Sequence, residues 1–182
     1  MRAFEPVSTT CQRLVKYISI DEFNHNIENK KGILTSEKID KDCPKILFST
    51  DLDTCHSVVD ESYSGTKEMI ECSTLDRQIE GINPFLIKID LEGFEEDVLA
   101  EAKNNLRANS LVAVIIEGKN EPINKFFRDY GFIDFYYSPT ERTVTFKNKR
   151  TVNRIWLRAS KLEIAKERVM TAKKRLIHGS VV

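Results

Sequence analysis

The chain has 182 residues, 41% hydrophobic and 31% charged, which suits a globular domain with a sizeable core. Its 28 Lys and Arg balance 28 Asp and Glu, so no global charge favours nucleic acid or an anionic membrane. No apolar run is long enough to span a bilayer, and the start, Met-Arg-Ala-Phe-Glu-Pro, lacks the apolar stretch of a secretory leader. The expected setting is therefore the cytoplasm.

Residues 2–5 read as a strand end stopped by Pro6. Ser8 or Thr9 suits an N-cap for a helix from Thr10 to Ser19, with Leu14, Val15 and Ile18 inward. Asp21 to Lys30 is polar and loop-like, Lys31 to Thr35 a short strand, and Ser36 to Lys41 charged and uninformative. Lys45 to Thr50 reads as a strand, and Asp51 to Thr66 as a loop rich in Asp and Ser. Thr74-Leu75-Asp76 opens a short helix to Glu80, closed by Gly81, which makes Asp76 a structural helix-start residue.

A turn signal, Asn83-Pro84, precedes the apolar run Phe85 to Ile89, which is too short for a helix and reads as a strand. The run breaks at Asp90-Leu91-Glu92-Gly93. Phe94, Val98, Leu99, Ala102 and Leu106 then recur at helical spacing, and Glu95, Glu96 and Asp97 suit the positive helix N-terminus. This places Asp90 and Glu92 at the carboxyl end of a buried strand, where open α/β sheets bind ligands. An acidic turn that only caps the helix fits the same spacing. Lys88 alternates onto the strand face of Asp90 and, as its ion-pair partner, would lower the carboxyl pKa.

Ser110 to Gly118 is almost continuously apolar, the mark of an interior parallel strand, and places Glu117 near its carboxyl end. Pro122 to Tyr130 suits a helix with Ile123, Phe126 and Phe127 inward and Gly131 closing it. Phe132 to Tyr137, a Ser138–Glu141 turn, Thr143 to Lys147 and Val152 to Leu157 form a terminal antiparallel element. Trp156 and Tyr136-Tyr137 read as packing residues. Ala159 to His178 is an amphipathic helix with a seam of Leu162, Ala165, Val169, Ala172 and Leu176. Its basic last turns (Lys173, Lys174, Arg175) complement the helix C-terminus.

Cys11, Cys43, Cys55 and Cys72 make no C-x-x-C pair and are expected reduced. Cys55-His56 is adjacent to no evident third ligand or base, so it is not taken as a metal or nucleophile site.

Ile87-Lys88-Ile89-Asp90-Leu91-Glu92-Gly93-Phe94-Glu95 resembles the Ile-Lys-Ile-Asp-Val-Glu-Gly-x-Glu signature of the FkbM-type methyltransferases. These are S-adenosylmethionine-dependent enzymes, mostly O-methyltransferases acting on sugars and natural-product hydroxyls. Ala3-Phe4-Glu5-Pro6 is similar to the family's Ala-Phe-Glu-Pro at the end of its second sheet strand, and Asn153-Arg154-Ile155-Trp156-Leu157 to its closing Asn-containing strand. Ser57-Val58-Val59, Glu68 to Cys72 and Thr74-Leu75-Asp76 follow the family's Ser-rich segment, strand and Thr-Leu-Asp. The resemblance covers residues 3 to 157. It implies an α/β fold: a partial class I methyltransferase Rossmann-like sheet, mostly parallel, with an antiparallel C-terminal element. Residues 1–158 would be the domain, and 159–182 an amphipathic helix and tail.

The same resemblance implies S-adenosylmethionine as cofactor, with Glu5 on its ribose hydroxyls. Asp90 or Glu92 would orient or deprotonate the acceptor hydroxyl. Lys88 and Glu117 are the substrate-binding candidates, and no metal is expected. The implied partner is a small-molecule or carbohydrate acceptor, not nucleic acid or membrane. A homo-oligomer would form through the C-terminal helix or an open sheet edge. No G-x-G occurs in the sequence, and the family's first strand and glycine turn have no counterpart before Ala3, so the expected domain is N-terminally incomplete. The alternative class is a non-catalytic interaction or scaffolding module. A magnesium-dependent hydrolase using Asp90, Glu92 and Glu117 ranks lower.

Overall fold

The computed structural model describes residues 1–20, 27–34, 45–51, 57–91, 93–117, 120–138, 141–146, 153–172, 176–177 and 180–181. In chain order the first elements are β1 (Arg2–Glu5), α1 (Ser8–Ile20), β2 (Glu28–Lys31), β3 (Ile33–Leu34), β4 (Lys45–Ser49), β5 (Lys67–Ser73) and α2 (Leu75–Gln78). Then come β6 (Leu86–Ile89), α3 (Glu95–Ala100), α4 (Lys103–Arg107), β7 (Ala113–Glu117), α5 (Glu121–Asp129) and β8 (Phe132–Ser138). The last are β9 (Thr143–Thr145), β10 (Asn153–Arg158), α6 (Leu162–Thr171), β11 (Leu176–Ile177) and β12 (Ser180–Val181). The chain divides into two compact units, Met1–Glu80 with Glu92–Ala102, and Gly81–Leu91 with Lys103–Val182.

In the first unit, β1 pairs in parallel with β2, and β3 with β5, while β4 lies antiparallel to β5. Polar Glu28-Asn29-Lys30 reads as loop by composition, yet with Lys31 it forms β2 because β1 supplies a ladder partner and Arg2 pairs with Glu28. Gly32 joins β2 to β3 at φ +148°, where an added Cβ would meet the Glu71 carbonyl at 3.2 Å. β5 alternates, burying Ile70 and Cys72 and exposing Met69. Burial pushes the Cys72 thiol up to about 11.

α1 starts two residues earlier than its cap signal suggests, at Ser8 rather than Thr10. The reason is non-local: the Glu68 carboxylate of β5 accepts from the Ser8 amide at 3.2 Å and from its hydroxyl. Leu14 and Ile18 turn partly inward, but Val15 lies off that stripe and is 52% exposed. The described part of the 51–66 loop is tied down. Segment 57–59 pairs with β4 through Ser49, Val59 and the Phe48–Val58 bridge, and Asp51 accepts from the Tyr63 hydroxyl at 2.8 Å and the Thr66 amide at 3.1 Å. Thr74 caps α2 as expected, accepting from the Arg77 amide.

The apolar stripe from Phe94 to Leu106 does not form one helix. It breaks after Ala100 into α3 and α4. The Glu101 carbonyl accepts from the Asp76 amide, and the Glu101 and Ala102 amides turn back to Val98 and Leu99 in tighter bonds. Val98, Leu99 and Ala102 are nonetheless fully buried.

The second unit holds a five-stranded sheet in the order β6-β7-β10-β8-β9. Only β6–β7 is parallel here; β7–β10, β10–β8 and β8–β9 are antiparallel. Across the described ladders five are antiparallel and three parallel; four of the five antiparallel ones lie in the C-terminal part, and β4–β5 is an antiparallel ladder outside it. β10 returns between β7 and β8 and is antiparallel to both. The antiparallel C-terminal element itself is present.

One face of this sheet carries the core. Ile87, Ile89, Val114, Ile116 and Trp156 are buried with Ile123 and Phe127 of α5. Phe127 stacks on Trp156 with centroids 4.8 Å apart and meets Phe132 edge-on at 5.8 Å. Trp156 is thus a packing residue, as expected. Asn120 caps α5 on the Ile123 amide at 2.9 Å, and Pro122 sits in the first turn. Arg158 closes the α4–β7 connection. Its guanidinium lies over Phe132 and donates to the carbonyls of Leu106, Ala108 and Leu111.

The terminal helix is shorter than its seam predicts. A single 3-10 turn, Ala159–Lys161, leads into α6, which stops at Thr171. Arg142, at φ +51°, donates to the Val169 and Ala172 carbonyls and so caps that end. Leu176 belongs instead to the β11–β12 hairpin. The basic run 173–175 and the 139–140 part of the expected Ser138–Glu141 turn lie outside the described residues.

Candidate active site at the carboxyl ends of β6 and β7

β6 alternates strictly: Leu86 and Lys88 are exposed, Ile87 and Ile89 buried. Burial of the isoleucines leaves Lys88 and Asp90 on the opposite face. β7 runs parallel beside it with Ile89 opposite Ile116. Asp90 and Glu117 therefore follow side by side where the two strands end. β10 adds Asn153 opposite Glu117 in the antiparallel register. Sequence reading placed Asn153 in the closing strand but did not link it to the site. Only the strand order shows that β10 neighbours β7.

The Lys88 ammonium donates to Asp90 Oδ2. That hydrogen bond, then one with the Glu117 carboxyl, holds the Asp90 carboxyl below the ordinary carboxylate range, against a smaller opposing effect of burial. The Lys88 and Asp90 side chains are 54% and 38% exposed, so the pair is solvent-facing and its energy is small. What the pairing supplies is geometry, since Asp90 is held from both sides.

Of the residues singled out in the sequence, Lys88, Asp90 and Glu117 come together. Glu92 lies outside the described residues, as does Cys55-His56. Glu5 belongs to the first unit, at the carboxyl end of parallel strand β1. There the Val7 amide donates to its Oε1 at 3.0 Å. Among the described residues no three His, Cys, Asp or Glu side chains converge as metal ligands. The third acid of the magnesium arrangement, Glu92, is outside them.

The Methyltransferase FkbM domain model matches residues 2–138, about three quarters of the sequence. The chain belongs to the FkbM methyltransferase domain family. The matched span includes β1 with Glu5, β6 with Lys88 and Asp90, and β7 with Glu117. The fold is similar to the crystal structure of methyltransferase FkbM from Methylobacillus flagellatus KT, with a TM-score of 0.50 at 13% identity. That likeness covers 86% of this chain and 36% of that one, so the chain spans about a third of its structural relative. At this identity the likeness is one of fold: a mixed α/β chain like that FkbM structure. No curated protein matches. No helix among the described residues is long and apolar enough to cross a membrane.

Proposed function

We propose that this FkbM-family chain takes part in transfer of a methyl group from S-adenosylmethionine to a hydroxyl of a sugar or other small molecule. The observation that carries the reading is the family's Lys-Ile-Asp segment forming β6, with Asp90 beside Glu117 at the strands' carboxyl ends. Open α/β sheets bind their ligands at that edge. A Rossmann-like fold of the class I methyltransferase kind and a cytoplasmic setting belong to the same proposal.

Glu5 has the chemistry to hold the cofactor. Its carboxylate stands at the end of a parallel strand and is steered by the Val7 amide, and a carboxylate accepts hydrogen bonds from ribose hydroxyls. When bound, S-adenosylmethionine supplies an electrophilic methyl group on a sulfonium. The chain's own residues act on the acceptor. Asp90 accepts the hydroxyl hydrogen and orients the oxygen, and positioning of this kind supplies much of the catalysis. As the acceptor oxygen forms its new bond, its proton becomes strongly acidic. A carboxylate held below the usual range still takes it, while the O–H electron pair stays on oxygen. Glu92 is a second candidate for that role. Lys88 and Glu117 contact the acceptor or hold Asp90.

The test is calorimetric titration of the 182-residue chain with S-adenosylmethionine. Micromolar binding that falls at least 10-fold in Glu5→Ala supports the reading. A folded chain that binds no cofactor refutes it and favours a non-catalytic interaction module.

A further inference from the structure

We propose that a cavity at the amino edge of β7 and β8 is a second binding site, one that takes a phosphate group between the guanidinium groups of Arg107 and Arg158. The site stands apart from the acids at the carboxyl edge and does not depend on the methyl-transfer reading.

Topology sets the place. β10 ends with Leu157 opposite Ala113, the first residue of β7, and with Arg158 opposite Phe132, the first of β8. Asp90 and Glu117 stand at the other end of β7 and its neighbour, about 13 Å of strand away. At the amino edge Arg107 ends α4, Asp129 ends α5, and Tyr130 and Gly131 lead into β8. Together with Arg158 these residues line an open cavity of about 580 Å³.

The cavity holds positive charge that nothing balances. Arg107 lies over the Tyr130 ring, 5.5 Å from its centroid, and Arg158 over Phe132 at 4.6 Å. A ring contact steadies a guanidinium but gives its N–H groups no oxygen acceptor. Arg158 engages Nε and Nη2 on the carbonyls of Leu106, Ala108 and Leu111, which leaves Nη1. Two of those carbonyls belong to the residues on either side of Arg107, so the two arginines are neighbours. Carbonyls are neutral, and among the described residues neither arginine has a carboxylate partner. Burial further disfavours the Arg158 charge.

The negative groups on this rim, by contrast, are already satisfied. The Asp129 carboxylate is paired with Lys125 one turn back. The last carbonyls of α5 accept from the Tyr130 and Gly131 amides. A phosphate fits what is left over: it carries nearly two negative charges and three acceptor oxygens, enough for both guanidinium groups at once. Free phosphate and the phosphate ester of a small molecule share that chemistry.

The experiment follows the 15N-labelled full chain by NMR as inorganic phosphate is added at constant ionic strength. The Gly131 amide and the Arg107 Nε–H are expected to shift together, with a midpoint below about 1 mM, while the Lys88 and Asp90 amides stay in place. Arg107→Gln is expected to weaken binding at least about 10-fold. Asp129→Asn removes a like charge from the rim and is expected to tighten it about 2-fold. Arg158 is left unaltered because it also holds the α4–β7 connection. Glucose 6-phosphate is the second probe. Tighter binding than that of inorganic phosphate assigns the site to phosphate esters, and equal or weaker binding assigns it to free phosphate. Shifts that sodium chloride alone reproduces, shifts centred on Lys88 and Asp90, or an affinity indifferent to Arg107→Gln in a folded chain overturn the proposal.

Discussion

The two units are held together by different physics. In the second, large aromatic side chains dominate: Trp156, Phe127 and Phe132 are all at most 2% exposed, and Phe127 packs against the other two. In the first, Phe48 is the one buried aromatic among the described residues. Neither β1 nor β2 has a fully buried residue. Polar ties do much of the joining there. Glu68 accepts from Ser8 and Lys31, Arg2 pairs with Glu28, and Asn29 donates to the Cys11 sulfur at 3.0 Å. Dispersion and burial are little affected by salt or pH, whereas exposed ion pairs are screened and titrate. The first unit should therefore soften under acid or salt well before the second.

The sharpest way to break this contrast is Phe127→Ala. Removing the ring that stacks on Trp156 is expected to cost about 3–5 kcal/mol. Urea unfolding measures the loss, and amide exchange in β7 and β10 should accelerate. A cost under about 1 kcal/mol would mean the aromatic cluster is not what holds the second unit.

Glu68→Gln tests the first unit at a smaller scale. The change removes the charge at the α1 N-terminus and the Lys31 ion pair, an expected loss of about 1 kcal/mol. Burial raises the Glu68 pKa, but the bonds from Lys31 and Ser8 outweigh it, and the net direction is down. A depressed carboxyl stabilises the fold above its unfolded pKa, and that contribution fades as pH falls through the folded value. Acid titration of stability should thus be flatter in Glu68→Gln. An unchanged acid limb would assign the sensitivity elsewhere.

The smallest effect is expected at the site. Lys88→Met should change stability by no more than about 0.5 kcal/mol, because the pair is exposed. Yet the Asp90 carboxyl should titrate higher, toward its ordinary range, once its first donor is gone. The two readouts together separate a residue that orients a carboxylate from one that stabilises a unit.

Much of this was legible in the chain because it is local. Alternation in Leu86–Ile89 and the apolar run before Glu117 specify β6 and β7. Thr74 announces the helix it caps. The Ile87–Glu95 wording places the chain in its family, and the i, i+2 spacing of Lys88 and Asp90 foretells their pairing. Only the tertiary structure decided the rest, each time through a partner distant in sequence. Polar Glu28–Lys30 became a strand because β1 offered a ladder, and α1 started at Ser8 because Glu68 reached it. The stripe to Leu106 broke where Asp76 took the Glu101 carbonyl, and α6 stopped where Arg142 took its last carbonyls. β10 entered between β7 and β8, which made the sheet chiefly antiparallel and set Asn153 beside Glu117. Periodicity records which face of an element is buried, but hydrogen-bond partners many residues away are chosen by packing, and no local pattern encodes them.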